Sequence, residues 1–151
     1  MRSVTGDFEL LVAGAEDAIK REEIEELARP YRDRVKLHLS FLTDEEFEMA
    51  IQAVDAIVLP YRKTFNGASG PLGEGVAKGK IIIAANHGSL GDIVEKNHLG
   101  YTFESENIEA LKKVLNMAIQ RTNYTYDEKA NAYKNKLSIN EFKKQYCKLY
   151  F

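Results

Sequence analysis

Short apolar runs alternate with amphipathic stretches along most of the chain. Leu10-Leu11-Val12-Ala13-Gly14 is a continuous apolar run closed by glycine, the pattern of a strand buried on both faces of a sheet. A charged segment from about Asp17 to Ala28 follows. Ile19, Ile24 and Leu27 are its expected inner positions, and Pro30 ends it. Val35, Leu37 and Leu39 alternate with Lys36 and His38, which predicts a half-buried strand. Thr43 and Glu46 have capping-box spacing ahead of a helix whose inner face is Phe47, Ala50, Ile51 and Val54. Ala56-Ile57-Val58-Leu59 reads as a third strand, stopped by Pro60, and residues 61–70 read as a polar, glycine-containing loop. A short helix from Ser69 or Pro71 to Ala77 leads through Gly79 to Ile81-Ile82-Ile83-Ala84, the most apolar strand of all. After the turn Asn86-His87-Gly88 come a brief helix near Leu90–Glu95 and a strand at Gly100–Phe103. Asn107 is placed to cap a helix with Ile108, Leu111, Leu115 and Ala118 inside.

Strands and helices in alternation, with crossovers long enough to join parallel strands, predict an α/β fold. It is a Rossmann-like open, mostly parallel sheet with helices on both faces. After Arg121 the character changes to a polar, basic helical segment carrying Tyr124, Tyr126, Tyr133, Phe142, Tyr146, Tyr150 and Phe151. Ser138 and Glu141 form a second capping-box pattern there, with Ile139, Phe142, Tyr146 and Leu149 on one face. The expected organisation is a Rossmann-like unit over residues 1–121. A helical extension, 122–151, follows and packs on that unit or on a further domain.

Composition narrows the class. The 151 residues carry 21 basic and 23 acidic side chains, a net charge of −2, with 44% hydrophobic residues. That apolar content supports a folded core and argues against disorder. With no excess of positive charge, a nucleic-acid partner held by counterion release is excluded. No apolar stretch reaches the ~20 residues needed to cross a bilayer, and the first residues do not form a signal peptide. A single cysteine, Cys147, suits a reducing, cytoplasmic setting.

The chemistry is expected outside the carboxyl ends of the strands, after Gly14, Ser40, Pro60 and Ala85. The most informative stretch is PYRKTFNGASGPLGEGVAKGK, residues 60–80, with glycines at 67, 70, 73, 75 and 79. A strand running through a glycine-rich loop into a helix start gathers free amides and the positive end of a helix dipole, a setting for anions. Glu74, about one turn into that helix, is placed to accept hydrogen bonds from sugar hydroxyls. The plainer reading is that these glycines only allow the helix to pack closely on the sheet.

Five collinear runs in this chain, LLVAG, TDEEFEMAIQAVDAIVLPY, SGPLGEGVAKGKIIIAANHGSLGDIV, NHLGYTF and NIEALKKVLNMAI, are similar to the carboxyl-terminal domain of group 1 (family 4) retaining glycosyltransferases. The resemblance covers roughly residues 7–119. It implies half of a GT-B fold and binding of a nucleoside-diphosphate sugar of UDP or GDP type as substrate. No further cofactor and no metal are implied. In that family a Glu-x7-Glu pattern holds the donor; its second glutamate matches Glu74, and the first position carries Asn66, which supplies no negative charge. The Ser69-Gly70 pair resembles the family's Ser-Gly variant, whose following amides, here in Pro71-Leu72-Gly73, face the diphosphate. Gly14 resembles the turn beside the nucleotide, and Phe41 to Glu46 the segment flanking the base. The family's basic pair for the leaving diphosphate falls outside this sequence, as does the acceptor-binding amino-terminal domain; Arg62 and Lys63 are the local cations that would partly serve. The expected donor-binding set is therefore Gly14, Arg62, Asn66, Ser69, Gly70, Pro71, Leu72, Gly73 and Glu74. No catalytic residue is assigned. The expected acceptor is a glycan or lipid-linked saccharide, the latter at the inner face of a membrane, and oligomeric state is left open.

Two rival readings stay open at this level. A UDP-sugar 2-epimerase of the same architecture carries Ser-Gly-Gly-x-x-Glu-Glu, which residues 69–74 match only in part. A non-catalytic nucleotide-binding or assembly domain is the reading that Asn66 and the missing basic pair favour. Elsewhere the sequence is bland. His38, His87 and His98 are too dispersed for a metal site, and the Glu22–Glu26 carboxylates read as a solvated helix face. Ser69 lacks the Gly-x-Ser-x-Gly elbow of a hydrolase.

Overall fold

The computed structural model describes residues 4–16, 19–121 and 123–138. In chain order it contains β1 (Leu10–Ala13), α1 (Arg21–Ala28), β2 (Val35–His38), α2 (Asp44–Ala53), β3 (Ala56–Leu59) and α3 (Gly70–Ala77). These are followed by β4 (Ile81–Ala85), α4 (Gly88–Lys96), β5 (Gly100–Phe103), α5 (Ile108–Gln120) and α6 (Glu128–Lys136). All paired strands are parallel: Leu10 stands opposite Val35, Ala56 opposite Ile81, and Ile82 opposite Gly100.

β4 is the centre of the molecule, and every one of its residues is buried. Its side chains alternate between two cores, as the pleat of a strand requires. Ile82 and Ala84 join Ile57, Leu59, Leu72, Val76 and Val94, from β3, α3 and α4. Ile81, Ile83 and Ala85 face the other way, onto Phe103 and Val114, with Leu111 and Leu115 of α5 alongside. Helices therefore cover both faces.

Local chemistry fixes several boundaries. The Thr43 hydroxyl accepts from the Glu46 amide at 3.2 Å while the Glu46 carboxylate accepts from the Thr43 amide at 2.8 Å, so the capping box is complete. Asn107 caps α5 through the Ala110 amide at 3.0 Å. Gly100, at φ +154°, lies so close to β4 that a Cβ there would stand 2.1 Å from the Ile82 carbonyl oxygen, which only glycine permits.

Three expectations need correction. α1 buries no side chain; Leu27, expected inside, is 67% exposed, and Ile19, also expected inside, precedes the helix and is 47% exposed. Ile108, expected inside α5, is 80% exposed, and Val114 takes the buried position. β1, expected to be buried on both faces, is only half-buried and Ala13 is exposed. The ladder explains this last difference: hydrogen bonds join β1 to β2, and β3 to β4 to β5, but not β1 to β3.

Beyond Arg121, Tyr126 donates to the Lys80 carbonyl at 2.7 Å, Ala130 is fully buried and Tyr133 packs against the α3 side of the core. Glu141 of the second capping-box pattern, Cys147 and the aromatic face from Phe142 to Phe151 lie outside the described residues.

Candidate functional site

The strand ends converge as a doubly wound sheet demands: Gly14 closes β1, Pro60 to Ser69 follow β3, and Asn86 to Gly88 follow β4. The long loop is held at its root. The Ser105 hydroxyl, in a residue 3% exposed, donates to the Tyr61 carbonyl at 3.0 Å. The Tyr61 ring stacks on Phe65 with centroids 4.0 Å apart, and its hydroxyl lies 3.3 Å from the Ser69 hydroxyl. Tyr61 and Ser105 thus fix where the loop delivers the first turn of α3. Sequence reasoning missed both. Tyr61 had one local signal, an aromatic directly after a strand-ending proline; Ser105 acts across 44 residues and had none.

Ser69 is the N-cap of α3, accepting from the Leu72 amide at 3.3 Å. Pro71 has no amide to give, and the Gly73 amide points to the Ser69 carbonyl at 3.3 Å. Among the described residues that leaves the Gly70 amide as the donor of the first turn without a partner, at the positive end of the helix dipole. Access is open: a Cβ on Gly70 or Gly73 would meet nothing within 4 Å. Gly75 differs. A Cβ there would stand 2.4 Å from Ile57 Cδ1 and 3.0 Å from Ile82 Cδ1, so this glycine serves close helix–sheet packing. Close packing therefore accounts for Gly75 and not for Gly70 or Gly73.

Around this mouth, Gly14 (φ +140°) continues the β1 ladder through its amide to the His38 carbonyl at 3.0 Å, and nothing crowds its α-carbon. Asn66 reaches the turn after β4: its Oδ1 is 4.0 Å from where a Cβ on Gly88 would stand. That turn is itself anchored, since Asn86 Oδ1 accepts from the Ser105 amide at 3.3 Å. Glu74 is exposed on α3 with no partner for its carboxylate among the described residues. Arg62 and Lys63 are exposed and form no ion pair there. Phe41, in the loop after β2, is 85% exposed. Among the described residues no three His, Cys, Asp or Glu side chains cluster as a metal site would need.

A hollow of about 340 Å³ lies elsewhere, between Glu95, His98, Tyr101, Arg121 and Asp127 at the amino end of β5. Strand-end chemistry does not reach it.

The comparisons with known proteins bear on residues 1–121, which match the family model described as glycosyl transferases group 1. The chain belongs to the group 1 glycosyltransferases. The matched span holds all five strands of the described residues and every residue of the mouth just described. Solved structures agree on the fold. Sucrose-phosphate synthase from Thermosynechococcus elongatus superposes with a TM-score of 0.71 at 22% identity, covering 94% of this chain and 37% of that one. HepE of Anabaena, solved in complex with UDP, gives 0.72 at 19% identity over 97% of this chain and 41% of its own. AviGT4, a glycosyltransferase involved in avilamycin A biosynthesis, gives 0.64 at 16% identity and 42% of its length. The fold is thus the Rossmann-like half of a GT-B glycosyltransferase, and the chain spans about two fifths of these proteins. No curated protein sequence matches it. No described helix is long and apolar enough to cross a membrane.

Proposed function

We propose that this chain is the donor-binding part of a glycosyltransferase that moves a sugar from a nucleoside diphosphate, of UDP or GDP type, to a glycan or lipid-linked acceptor. The observation that carries the reading is the uncrowded first turn of α3, where the Gly70 amide has no partner among the described residues and Gly70 and Gly73 leave room for close approach. A diphosphate seated there meets a backbone donor and the positive end of the helix, and both act on the charge that grows as the sugar–phosphate bond breaks. Arg62 and Lys63, with no carboxylate partner among the described residues, add cationic charge to the same loop. On this reading transfer uses no metal, and the charge is met by amides and cations alone.

Asn66 and Glu74 flank the sugar. Glu74 accepts hydroxyl hydrogen bonds, and Asn66, neutral and close to Gly88, both donates and accepts. Gly14 and the Phe41 loop border the nucleoside. Retention of configuration at the anomeric carbon, and an acceptor domain facing this one, belong to the same proposal. HepE supports the donor assignment, because a structure aligned to 97% of this chain was solved with UDP.

Calorimetric titration of the chain with UDP, GDP and ADP tests it. Saturable binding of one diphosphate, lost in Gly70→Val, supports the reading; absence of heat for all three at millimolar ligand contradicts it. A Gly70→Val chain that binds as the parent does would place the diphosphate elsewhere.

A further inference from the structure

Asn66 is the one asparagine of the sequence that is followed by glycine. The pair sits in irregular backbone between β3 and α3, and both residues are exposed. Among the described residues no hydrogen bond engages the Gly67 amide or the Asn66 side chain. The loop's own packing keeps position 67 small: a Cβ there would stand 3.3 Å from Phe65 Cζ, and that ring is stacked on Tyr61. Other asparagines differ on both counts. Asn86, Asn97, Asn107 and Asn131 hold the Ser105 amide, the Ile93 carbonyl, the Ala110 amide and the Tyr126 carbonyl, and each is followed by a residue with a side chain.

An asparagine side chain is an electrophile for the amide nitrogen that follows it. That nitrogen attacks Cγ, a C–N bond forms, and the Cγ–Nδ2 bond breaks. Nδ2 leaves as ammonia with the proton of the attacking amide, and a cyclic imide remains. Water then opens the ring. Addition at Cγ gives aspartate, and addition at the main-chain carbonyl gives isoaspartate, whose backbone runs through the side chain. The balance is one water consumed and one ammonia released, with nothing oxidised or reduced. A glycine at the attacking position has no Cβ to crowd the approach, and an amide already held in a hydrogen bond would have to give it up first. Asn66–Gly67 meets both conditions.

We propose that Asn66–Gly67 is a self-modification site, at which Asn66 loses its side-chain amide through the cyclic imide and becomes a mixture of isoaspartate and aspartate. Either product is a carboxylate, so the loop gains a full negative charge. Asn66 Oδ1 is 4.0 Å from where a Cβ on Gly88 would stand, at the start of α4, and the N-cap His87 offers that helix no side-chain hydrogen bond. A carboxylate there meets the positive end of a helix. Isoaspartate also lengthens the backbone between the Tyr61 brace and the Ser69 cap.

The covalent step stands apart from the sugar-nucleotide reading; its effect on ligand rests on that reading. A fixed negative charge beside a bound diphosphate opposes it, so the modified chain holds nucleotide more weakly. The age of the chain then sets the charge of the mouth.

Peptide mapping by mass spectrometry tests the site, on the full chain kept for days at physiological pH and temperature. Trypsin releases Thr64–Lys78, in which Asn66 carries the only side-chain amide, and a synthetic peptide of that sequence incubated alongside gives the unconstrained rate. The expected result is deamidation of Thr64–Lys78 in the folded chain at a rate comparable to the peptide's. Isoaspartate is expected as the larger product, detected by isoaspartyl methyltransferase, and Asn66→Gln is expected to remain intact. A Thr64–Lys78 segment that stays unmodified in the folded chain while the peptide converts overturns the proposal, as does conversion of Asn86 or Asn97 as fast as that of Asn66. The charge effect is read by titrating UDP and GDP into the parent and Asn66→Asp chains. The variant is expected to bind about threefold or more weakly, and equal affinity overturns that effect. A parent that binds neither nucleotide contradicts the donor reading, while the mass result still decides the modification.

Discussion

The Ser105 hydroxyl donates to the carbonyl of Tyr61 at 3.0 Å, and so ties the turn after β5 to the loop that carries the site. Ser105 also gives its amide to Asn86, so one buried residue braces the turns after β3 and β4 together. Ser105→Ala leaves the Tyr61 carbonyl without its partner. The expected cost is about 1–3 kcal/mol in urea unfolding, with a larger relative loss of UDP affinity than of stability, since the loop loses its anchor.

The glycines of α3 separate by role. Gly75→Ala drives a methyl into Ile57 and Ile82 and is expected to cost about 1–3 kcal/mol, less if Ile57 changes rotamer. Gly73→Ala has open space and is expected to hold or raise stability by about 0.5–1 kcal/mol through better helix propensity, while weakening diphosphate binding. Thermal unfolding paired with nucleotide titration separates the two; equal destabilisation by both variants contradicts the assignment.

Acid stability follows from two capping carboxylates. Asp127 is held below its ordinary 3.8, first by the Ala130 amide and then by His98, whose Nδ1 is 2.7 Å away. Glu46 is held below 4.5, first by the Thr43 amide and then by its hydroxyl. A carboxyl group depressed in the folded state stabilises above its unfolded value, and that contribution drains as pH falls through the folded one. Melting temperature is therefore expected to fall below about pH 4, and the fall to be shallower in Asp127→Asn/Glu46→Gln. An unchanged acid slope in the double variant contradicts this.

At the alkaline end the sign reverses. Burial pushes the Tyr126 phenol upward, and the hydroxyl donates to the Lys80 carbonyl at 2.7 Å. Its contribution is complete below the ordinary tyrosine value of 10.0 and is lost as pH rises beyond it. Tyr126→Phe is expected to cost about 0.5–1.5 kcal/mol at neutral pH and to flatten the loss above pH 10, measured by urea unfolding.

What the sequence made legible was mostly local. The Thr43–Glu46 box and the Asn107 cap each span one helical turn, so residue type and spacing state them outright. The apolar run Ile81–Ala85 is buried on both faces, as its composition demands. Leu10–Ala13 is also wholly apolar and has a different outcome, because burial of a strand depends on neighbours that its own residues do not encode. The candidate site divides in the same way. Its glycines and Glu74 stand out in sequence, whereas the brace from Ser105 to Tyr61 exists only once the chain has folded. Gly70 and Gly75 look equivalent as letters; only the sheet beneath Gly75 tells them apart.

The most direct test of the account is the amide resonance of Gly70 during a UDP or GDP titration followed by heteronuclear NMR. A saturable shift of that resonance, with Asn66, Gly73 and Glu74 moving alongside and the Val114 side of the core unmoved, is the predicted result. A Gly70 amide that keeps its position at saturating nucleotide, or a response confined to the hollow around His98 and Tyr101, contradicts it.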